Sequence, residues 1–231
     1  MESVEPRLLE ISYEPMMEYG AAWELQKDTV AKIDAGTAAE RLLLLQHPPT
    51  YTIGSQNRPE HLLLSAEQLR QQGIALFEID RGGDITYHGP GQLVGYPLLR
   101  LGEDGRVDLH GYLRRLEDVI IDYLGSYGIQ GTRKSGYTGV WVGNAKICAI
   151  GVKFNRSKTR KGFVTSHGFA FNIRAGLGEE GFAGIIPCGI RDYGVTSLEE
   201  CTGSRRDVAG VAEELIPYFL GRFPYRYSGK L

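Results

Sequence analysis

The 231-residue chain has few cysteines, no long apolar run and no excess of charge of either sign. Its three cysteines are widely spaced and form no C-x-x-C pair, which excludes a disulfide framework and gives no zinc-type spacing. The longest early apolar run, 42–45, is far shorter than a membrane-spanning helix. The formal net charge of −2 excludes a strongly basic nucleic-acid-binding domain.

A secretion signal is also missing from the start of the chain. The first 15 residues carry four glutamates and lack the basic start and apolar stretch of a signal peptide. We therefore expect a cytoplasmic protein with no membrane and no nucleic-acid partner. No repeat or linker divides the sequence, so residues 1–231 are predicted to form a single domain.

Helical and extended patterns alternate along the chain. Apolar residues spaced by three and four over 16–33 predict an amphipathic helix that ends at Gly36, and Asp108 is a suitable N-cap for a second long helix. The extended segments between the helices look partly antiparallel. The expected fold is therefore α+β, with a mixed β-sheet packed against helices.

Four local patterns make sharper predictions. Ser65 and Gln68 predict a capping box at the start of a short helix. Pro97 predicts that the strand over 93–99 lies at a sheet edge or ends early. Segments 137–142 and 146–154 predict a hairpin across 143–145. Gln26 interrupts the apolar face of the first helix, and we expect it to hydrogen-bond to backbone.

The three cysteines have different surroundings. Cys148 lies in a β-rich apolar run, which favours core packing. Cys201 follows two glutamates, whose carboxylates disfavour a thiolate. Cys188 lies between a proline and a glycine, at a stiff approach and a sharp exit, so it is the candidate nucleophile. The simpler alternative for Cys188 is a buried structural thiol.

A nucleophilic cysteine needs a nearby base or cation. Lys146 is held at the start of a hairpin strand, and His88 and His167 each lie in a glycine-flanked segment. The residues alone do not choose among these three, and each has a plain alternative as an exposed lysine or a hydrogen-bonded loop histidine. A zinc site of His88, His167 and Cys188 has no short ligand spacing to support it, so no metal is predicted.

The segment 81–92, RGGDITYHGPGQ, is the densest polar motif of the chain. Its glycines allow backbone amides to approach a ligand closely, and its arginine and histidine supply hydrogen-bond donors. It is neither a phosphate-binding nor a dinucleotide-binding motif, because no G-K-[ST] follows it and no helix opens at the required place. The segment is predicted to be a ligand-binding loop or, more simply, a tight structural loop.

The same segment resembles the signature of the octanoyltransferases of lipoate biosynthesis, also called lipoyl(octanoyl) transferases. The first helix, with Tyr19, Trp23 and Gln26, fits the same family. The matching segments, in chain order, are QHPPTYTIG (46–54), RGGDITYHGPGQLVGYP (81–97), GNAKICAIG (143–151), SHGFAFNI (166–173), IPCG (186–189) and VTSL (195–198). Several motifs in one order are far more specific than any one of them.

This resemblance implies the fold of the biotin and lipoate protein ligases and a single catalytic acyltransferase domain. It implies transfer of an octanoyl group from acyl carrier protein to a lysine of lipoyl domains, those of 2-oxoacid dehydrogenases and the glycine cleavage H protein. The reaction would be the first step of endogenous protein lipoylation and would use no cofactor and no metal.

The resemblance also implies a site. Cys188 would carry the acyl group as a thioester, and Lys146 would be its partner in a Cys-Lys dyad. The substrate-contacting residues would be Arg81, Gly82, Gly83, Asp84, Ile85, Thr86, Tyr87, His88, Ala149, Ile150, Gly151, His167, Gly168 and Phe169.

Further expectations concern the acyl chain and the oxyanion. An eight-carbon chain needs a narrow apolar tunnel, for which Tyr87, Ile150 and Phe169 are candidate walls. Backbone amides near Gly189, Gly82–Gly83 or Gly168 are candidate oxyanion donors.

A basic cluster is expected to dock the acidic carrier protein, although it has the alternative of a solvated loop. The cluster consists of Lys153, Arg156, Lys158, Arg160 and Lys161.

Three other functions are compatible with parts of this pattern. An ATP-dependent lipoate or biotin ligase would share the fold without needing Cys188. A Cys-His hydrolase would use His88 or His167 as its base. An inactive lipoyl-domain binding module would need neither Cys188 nor Lys146.

Overall fold

A computed structural model of the chain describes residues 7–56, 58–102, 106–186 and 194–229. Six α-helices lie in this part of the chain: α1 (Tyr19–Ala35), α2 (Ala66–Gln71), α3 (Leu109–Gly125), α4 (Leu177–Glu180), α5 (Leu198–Thr202) and α6 (Val208–Arg222). The strands there are β1 (Leu8–Glu14), β2 (Glu40–Leu45), β3 (Thr50–Ile53), β4 (Ala75–Glu78), β5 (Ile85–His88), β6 (Gln92–Leu98), β7 (Arg100–Leu101), β8 (Gly131–Lys134), β9 (Tyr137–Val142), β10 (Ala145–Arg156), β11 (Phe163–Asn172), β12 (Gly194–Val195) and β13 (Arg226–Ser228).

Within the described ranges, ten strands form one large mixed sheet. Eight of them follow the order β13-β1-β2-β6-β11-β10-β9-β8, while β7 pairs with β11 and β12 pairs with β10. The pairs β13–β1, β1–β2 and β10–β12 are parallel, and the other pairs are antiparallel. The predicted mixed-sheet α+β architecture is therefore confirmed.

A small sheet of β4, β3 and β5 lies beside the large one. Its strand β5 follows the 81–84 loop, and the Gly82 N–H donates to the Val152 carbonyl of β10 at 3.0 Å. Gly151 lies under the same loop, where an added Cβ would come within 2.9 Å of the Gly82 carbonyl oxygen. This close approach holds the polar loop against the large sheet.

Both faces of the large sheet are covered. Helices α3 and α6 pack on one face over a core that includes Tyr112, Leu116 and Phe219. Helix α1 packs on the other face, where Ala22 and Ile33 meet residues of β2, β6 and β11. The small sheet has a separate apolar cluster around Tyr51 and Tyr87.

The predicted helix ends are confirmed. Helix α1 ends at Gly36, which has a left-handed φ of 76°. The Ser65 hydroxyl and the Gln68 side chain form a reciprocal capping box at α2. Asp108 accepts a hydrogen bond from the Gly111 N–H at 2.7 Å and caps α3.

The prediction for Pro97 is wrong. Strand β6, which contains Pro97, lies between β2 and β11 in the interior of the sheet. The β6–β11 ladder stops at the pair Gly95–Phe169, so the missing N–H of Pro97 interrupts no bond. The same register would place His167 opposite Pro97, and His167 leaves the extended conformation there with a φ of 57°.

Candidate active site

A narrow inner cavity of about 60 Å³ lies between the 81–88 segment and the strands β6, β10 and β11. One wall is polar and comes from the small-sheet side, with Arg81, Thr86 and His88. The other comes from the large sheet and is mostly glycine and apolar. The lining residues are Tyr19, Arg81, Gly82, Gly83, Thr86, His88, Val94, Tyr96, Thr138, Lys146, Ala149, Ile150, Gly151, His167, Gly168, Phe169 and Ala170.

A wider groove of about 590 Å³ adjoins the inner cavity. The two share lining residues, among them Gly82, Thr138, Lys146 and Ile150. The outer groove continues past Gln56, Asp84, Leu113 and Tyr137 toward Phe154. Lys146 therefore lies at the junction of the narrow inner cavity with a broad outer groove.

The position of Lys146 is fixed by an irregularity in the predicted hairpin. Strands β9 and β10 pair Trp141 with Lys146 and Val140 with Cys148, so one extra residue forms a bulge in β10. The Lys146 ammonium lies 4.8 Å from the Trp141 ring centroid and 3.5 Å from the Thr138 carbonyl oxygen. On the far side, Lys146 pairs with Val195 of β12, and its carbonyl accepts from the Thr196 N–H at 3.0 Å.

Arg81 is buried and anchored to the small sheet. Its guanidinium donates to the Thr52 carbonyl at 2.8 Å and to the Thr52 hydroxyl at 2.9 Å. A third bond, to its neighbour Gly82 at 3.1 Å, curls the side chain under its own loop. The positive charge is thus built into the polar wall of the cavity.

His88 belongs to a buried chain of hydrogen bonds that sets its tautomer. The Gln92 amide nitrogen donates to Asn172 at 2.9 Å, which leaves the Gln92 oxygen to accept from His88 Nδ1–H, also at 2.9 Å. His88 Nε2 is then an acceptor, 3.4 Å from the Thr52 hydroxyl. Burial holds the pKa of His88 well below its ordinary value, so the ring is neutral.

His47 and Tyr96 form a second buried pair, behind the Tyr19 ring. His47 Nδ1–H donates to the Met17 carbonyl at 2.6 Å, so Nε2 accepts from the Tyr96 hydroxyl at 2.7 Å. Burial lowers the pKa of His47 to about 4, partly offset by the bond to Met17. His47 is therefore neutral at physiological pH and acts as a fixed support for Tyr96.

His167 is held by Asp80 and by α1. Its Nε2 lies 3.1 Å from an Asp80 carboxylate oxygen, and its backbone N–H donates to the Gln26 side-chain oxygen at 2.7 Å. The expected backbone contact of Gln26 is thus confirmed. The bonds with His167 and Lys153 hold the pKa of Asp80 far below its usual range, while burial lowers the pKa of His167 despite that carboxylate.

Most of the predicted substrate-contacting residues meet at the inner cavity, and three do not. Asp84 pairs with His61 and lines only the outer groove. Ile85 and Tyr87 point away from the cavity, because successive residues of a strand alternate between its faces. The Tyr87 ring packs against Tyr51 and Phe182, with centroids 5.8 and 5.5 Å away, so its expected place as a tunnel wall is corrected.

The backbone amides predicted to stabilise the oxyanion do not all stay available. The Gly82 N–H is engaged by Val152, so it is removed from the set of donors. Gly189 and Cys188 lie outside the described residues.

Cys148 is fully buried, as predicted, and burial strongly raises the pKa of its thiol. Cys201 is partly buried and has its sulfur 3.7 Å from the Thr196 hydroxyl.

Sequence reasoning named Tyr19 but did not place it at the cavity, and it missed Val94, Tyr96, Thr138 and Ala170. Within the described segments, no three His, Cys, Asp or Glu side chains are grouped as metal ligands would be. In the same segments, no helix has the length and apolar character needed to cross a membrane.

Comparison with known proteins agrees with this geometry. The family model described as the lipoyl protein ligase A/B catalytic domain matches residues 18–220. The octanoyltransferase of Rubrobacter xylanophilus is 50% identical over 202 residues, covering 87% of this chain and 87% of that protein. The octanoyltransferase of Chloroflexus aurantiacus is 46% identical over 212 residues, covering 91% and 92%.

Two solved structures show the fold. A bi-partite lipoate protein ligase from Thermoplasma acidophilum superposes with a TM-score of 0.65 at 18% identity, covering 99% of this chain and 87% of that one. The Aquifex aeolicus biotin protein ligase in complex with biotin and ATP gives a TM-score of 0.50 at 14% identity, covering 93% and 70%. With its core motifs, cavity and sequence relatives in agreement, this chain belongs to the lipoyl protein ligase A/B family and, within it, to the octanoyltransferases, which are acyltransferases of protein lipoylation.

Proposed function

We propose that this chain moves an octanoyl group from acyl carrier protein to a lysine of lipoyl domains, through a thioester on Cys188. The acceptors would be the lipoyl domains of 2-oxoacid dehydrogenases and the glycine cleavage H protein. Residues 1–231 would act as one catalytic domain, and the reaction would take place in the cytoplasm without a cofactor or a metal.

The place of Lys146 carries this proposal. Lys146 lines both the inner cavity and the outer groove, and it pairs with Val195. Val195 follows the segment 187–193, which contains Cys188 in the sequence. At the other end of that segment, the Ile186 N–H donates to the His61 carbonyl at 2.8 Å. One described end is therefore anchored at Lys146, and the other is anchored at His61, which pairs with the outer-groove residue Asp84. This placement supports a Cys-Lys pair.

The first step exchanges one thioester for another. The Lys146 ammonium stabilises the Cys188 thiolate, which attacks the octanoyl carbonyl. The C–S bond to the carrier breaks, and the carrier thiol leaves with a proton from the Lys146 ammonium. The acyl chain would occupy the inner cavity against Ile150 and Phe169, where each buried CH₂ contributes about 0.8 kcal/mol.

The second step forms the amide. The acceptor lysine enters through the outer groove, its amine attacks the acyl-Cys188 carbonyl, and the C–S bond to Cys188 breaks. Amide formation from a thioester is downhill, so no ATP is needed. Arg81, Thr86 and His88 would orient the acyl head group, and Gly83 or Gly168 remain candidate oxyanion donors.

The basic loop between β10 and β11 is proposed to dock the carrier protein. Asp34 of α1 fixes this loop by bonds with Ser157, Lys158 and Thr159. Lys153 pairs with Asp80, so we no longer include it among the residues proposed to dock the carrier protein. Arg156, Lys158, Arg160 and Lys161 are exposed and suit an acidic partner.

Intact-protein mass spectrometry after mixing with octanoyl carrier protein tests the function. We expect a gain of one octanoyl group, its loss in the Cys188→Ala variant, and its discharge by an apo lipoyl domain. ATP-dependent modification of the lipoyl domain that survives Cys188→Ala would establish the ligase function instead. Release of free octanoate without an acceptor would establish a hydrolase.

A further inference from the structure

The backbone at His167 is irregular for a reason that lies in its neighbours. Opposite it stands Pro97, which has no N–H to offer to β11. The Pro97 carbonyl, which would face the His167 N–H, accepts a hydrogen bond from the Thr165 hydroxyl at 2.6 Å instead. The His167 N–H donates to the Gln26 side chain, and the residue takes a left-handed φ of 57° inside a strand. Non-glycine residues in this conformation are uncommon, and they cluster at functional sites.

One imidazole nitrogen of His167 is hydrogen-bonded, and the other has no partner among the described residues. Asp80 is ionised, so His167 Nε2–H donates to its carboxylate, and Nδ1 carries the lone pair. Among the residues that the structure describes, Nδ1 has no hydrogen-bond partner, although the side chain is only 2% exposed. The amide nitrogen of the adjacent Gln26 is also buried and unpartnered there. Of these two residues, His167 lines the inner cavity.

Asp80 connects this buried ring to the surface. Its side chain is 45% exposed, and its other carboxylate oxygen pairs with Lys153. The arrangement matches an orienting carboxylate and a buried base that keeps one nitrogen free of protein partners among the described residues.

Other groups also act on His167. The charges of Arg81 and Lys153 act to lower the pKa of His167. The Tyr96 ring lies edge-on to the imidazole, with the ring centroids 6.4 Å apart. His88 and Lys146 line the same cavity.

The proton balance of the proposed function requires such a group in one half-reaction only. Exchange of one thioester for another releases no net proton. The acceptor lysine enters as an ammonium with three N–H protons and ends as an amide with one. One of the two lost protons returns to the Cys188 sulfur, and the other must leave the site.

We propose that His167 accepts at Nδ1 the proton that the acceptor ammonium must release, and that Asp80 orients the ring and leads the proton to solvent. This inference rests on the proposed function, and it assigns the two proton transfers of the discharge step to two different residues. Lys146, which loading leaves without its extra proton, takes one of the two protons and returns it to the Cys188 sulfur when the C–S bond breaks. His167 serves the nitrogen, by taking a proton as the C–N bond forms.

Separate rates of the two half-reactions test this division. Wild type and His167→Asn are loaded with octanoyl carrier protein and then discharged by an apo lipoyl domain. Each rate is followed by mass spectrometry from pH 5 to 9, a range that extends below the ordinary pKa of histidine. Asn is common in left-handed backbone, so the substitution keeps the turn while removing the imidazole. Discharge is expected to fall about 100-fold, at least tenfold more than loading.

The pH profile separates a proton acceptor from a structural residue. Wild-type discharge should fall more steeply at acid pH, where the imidazole is protonated, and His167→Asn should lose that extra steepness. Equal losses in the two half-reactions, or a discharge rate within threefold of wild type, would overturn the inference. Failure of wild type to load at all would instead remove the proposed function.

Asp80→Asn provides a second variant if His167→Asn does not fold. The altered side chain lies at the surface, and the contact of Gln26 with the His167 backbone is untouched. The same selective loss in discharge is expected, about tenfold, because the carboxylate that fixes the tautomer and stabilises the imidazolium is gone. A loss confined to loading would contradict the assignment.

Discussion

The two walls of the inner cavity are built differently. On the large-sheet side, β10 and β11 contribute mainly backbone and apolar groups, with Gly151 and Gly168 paired across the two strands. Lys146 and His167 are the ionisable exceptions on this wall. On the small-sheet side, the segment containing Arg81 and His88 contributes charged and polar groups held by Thr52 and Gln92. The large-sheet wall sets the shape of the cavity. The small-sheet wall supplies most of its polar groups.

This division shows where substitutions should act. Changes in the large-sheet wall should alter folding, because the backbones there approach too closely for side chains. Changes in the polar wall should alter turnover with smaller effects on stability. Lys146 belongs to the large sheet but reaches the junction of the inner cavity and the outer groove. Its substitution therefore tests whether a large-sheet residue can affect turnover more than folding.

Lys146→Ala should have the largest effect, a loss of about 10³-fold in octanoyl transfer, since it removes the proton-transfer partner. Lys134→Ala is the matched control, because Lys134 also lies over the Trp141 ring, at 5.1 Å, but lines neither cavity. The control should stay within about threefold of wild type, as expected for a surface contact. Steady-state transfer to an apo lipoyl domain measures both, and equal losses would indicate that only packing on Trp141 matters.

A pair of glycine variants compares the two walls directly. An added Cβ at Gly168 would meet the Gly95 carbonyl oxygen at 2.1 Å, whereas one at Gly82 has nothing closer than 3.5 Å. Gly168→Ala should therefore lower the free energy of unfolding by about 3 kcal/mol, and Gly82→Ala should change it by less than about 1 kcal/mol. Urea unfolding with both variants checks this, and similar values for the two would remove the distinction between the walls.

His47, in the connection between β2 and β3, joins the two sheets and should make stability depend on pH. Its folded pKa of about 4 lies below the ordinary value of 6.5, so its contribution is present above pH 6.5 and is lost as pH falls toward 4. Between pH 7 and 5 this group should remove about 2 kcal/mol of unfolding free energy. His47→Gln should show a correspondingly smaller decrease, and an unchanged decrease would mean that His47 is not the titrating group.

The smallest effect is expected outside both walls, at the basic loop. Arg160→Glu combined with Lys161→Glu should raise KM for the octanoyl carrier protein about threefold at low salt, with the difference vanishing at high salt. Transfer kinetics at two salt concentrations measure this. A KM that does not change at either concentration would leave the loop without a docking role.

Local motifs in the sequence predicted much of this arrangement. The capping box at Ser65, the cap at Asp108, the Lys146 hairpin and the polar segment 81–92 all follow from short-range patterns, and the structure contains each of them. The contact of Gln26 with backbone follows from one polar residue on an apolar helical face.

The rest depends on contacts between distant segments. Pro97 is tolerated in a central strand only because His167, 70 positions away (167 minus 97), leaves the ladder at the facing register. Tyr19 reaches the cavity through the packing of α1 on the sheet, and Tyr96 reaches it from the central strand β6. No local pattern reveals either position. Strand alternation sends Tyr87 to a different cluster, and that depends on the phase of a four-residue strand.

Mapping the trapped acyl group tests the central claim most directly. The protein would be mixed with octanoyl carrier protein, quenched in acid, digested and sequenced by tandem mass spectrometry. We expect an octanoyl group on the peptide that carries Cys188 and unmodified peptides for Cys148 and Cys201. An octanoyl group on Cys201 or on a lysine, with Cys188 unmodified, would contradict it.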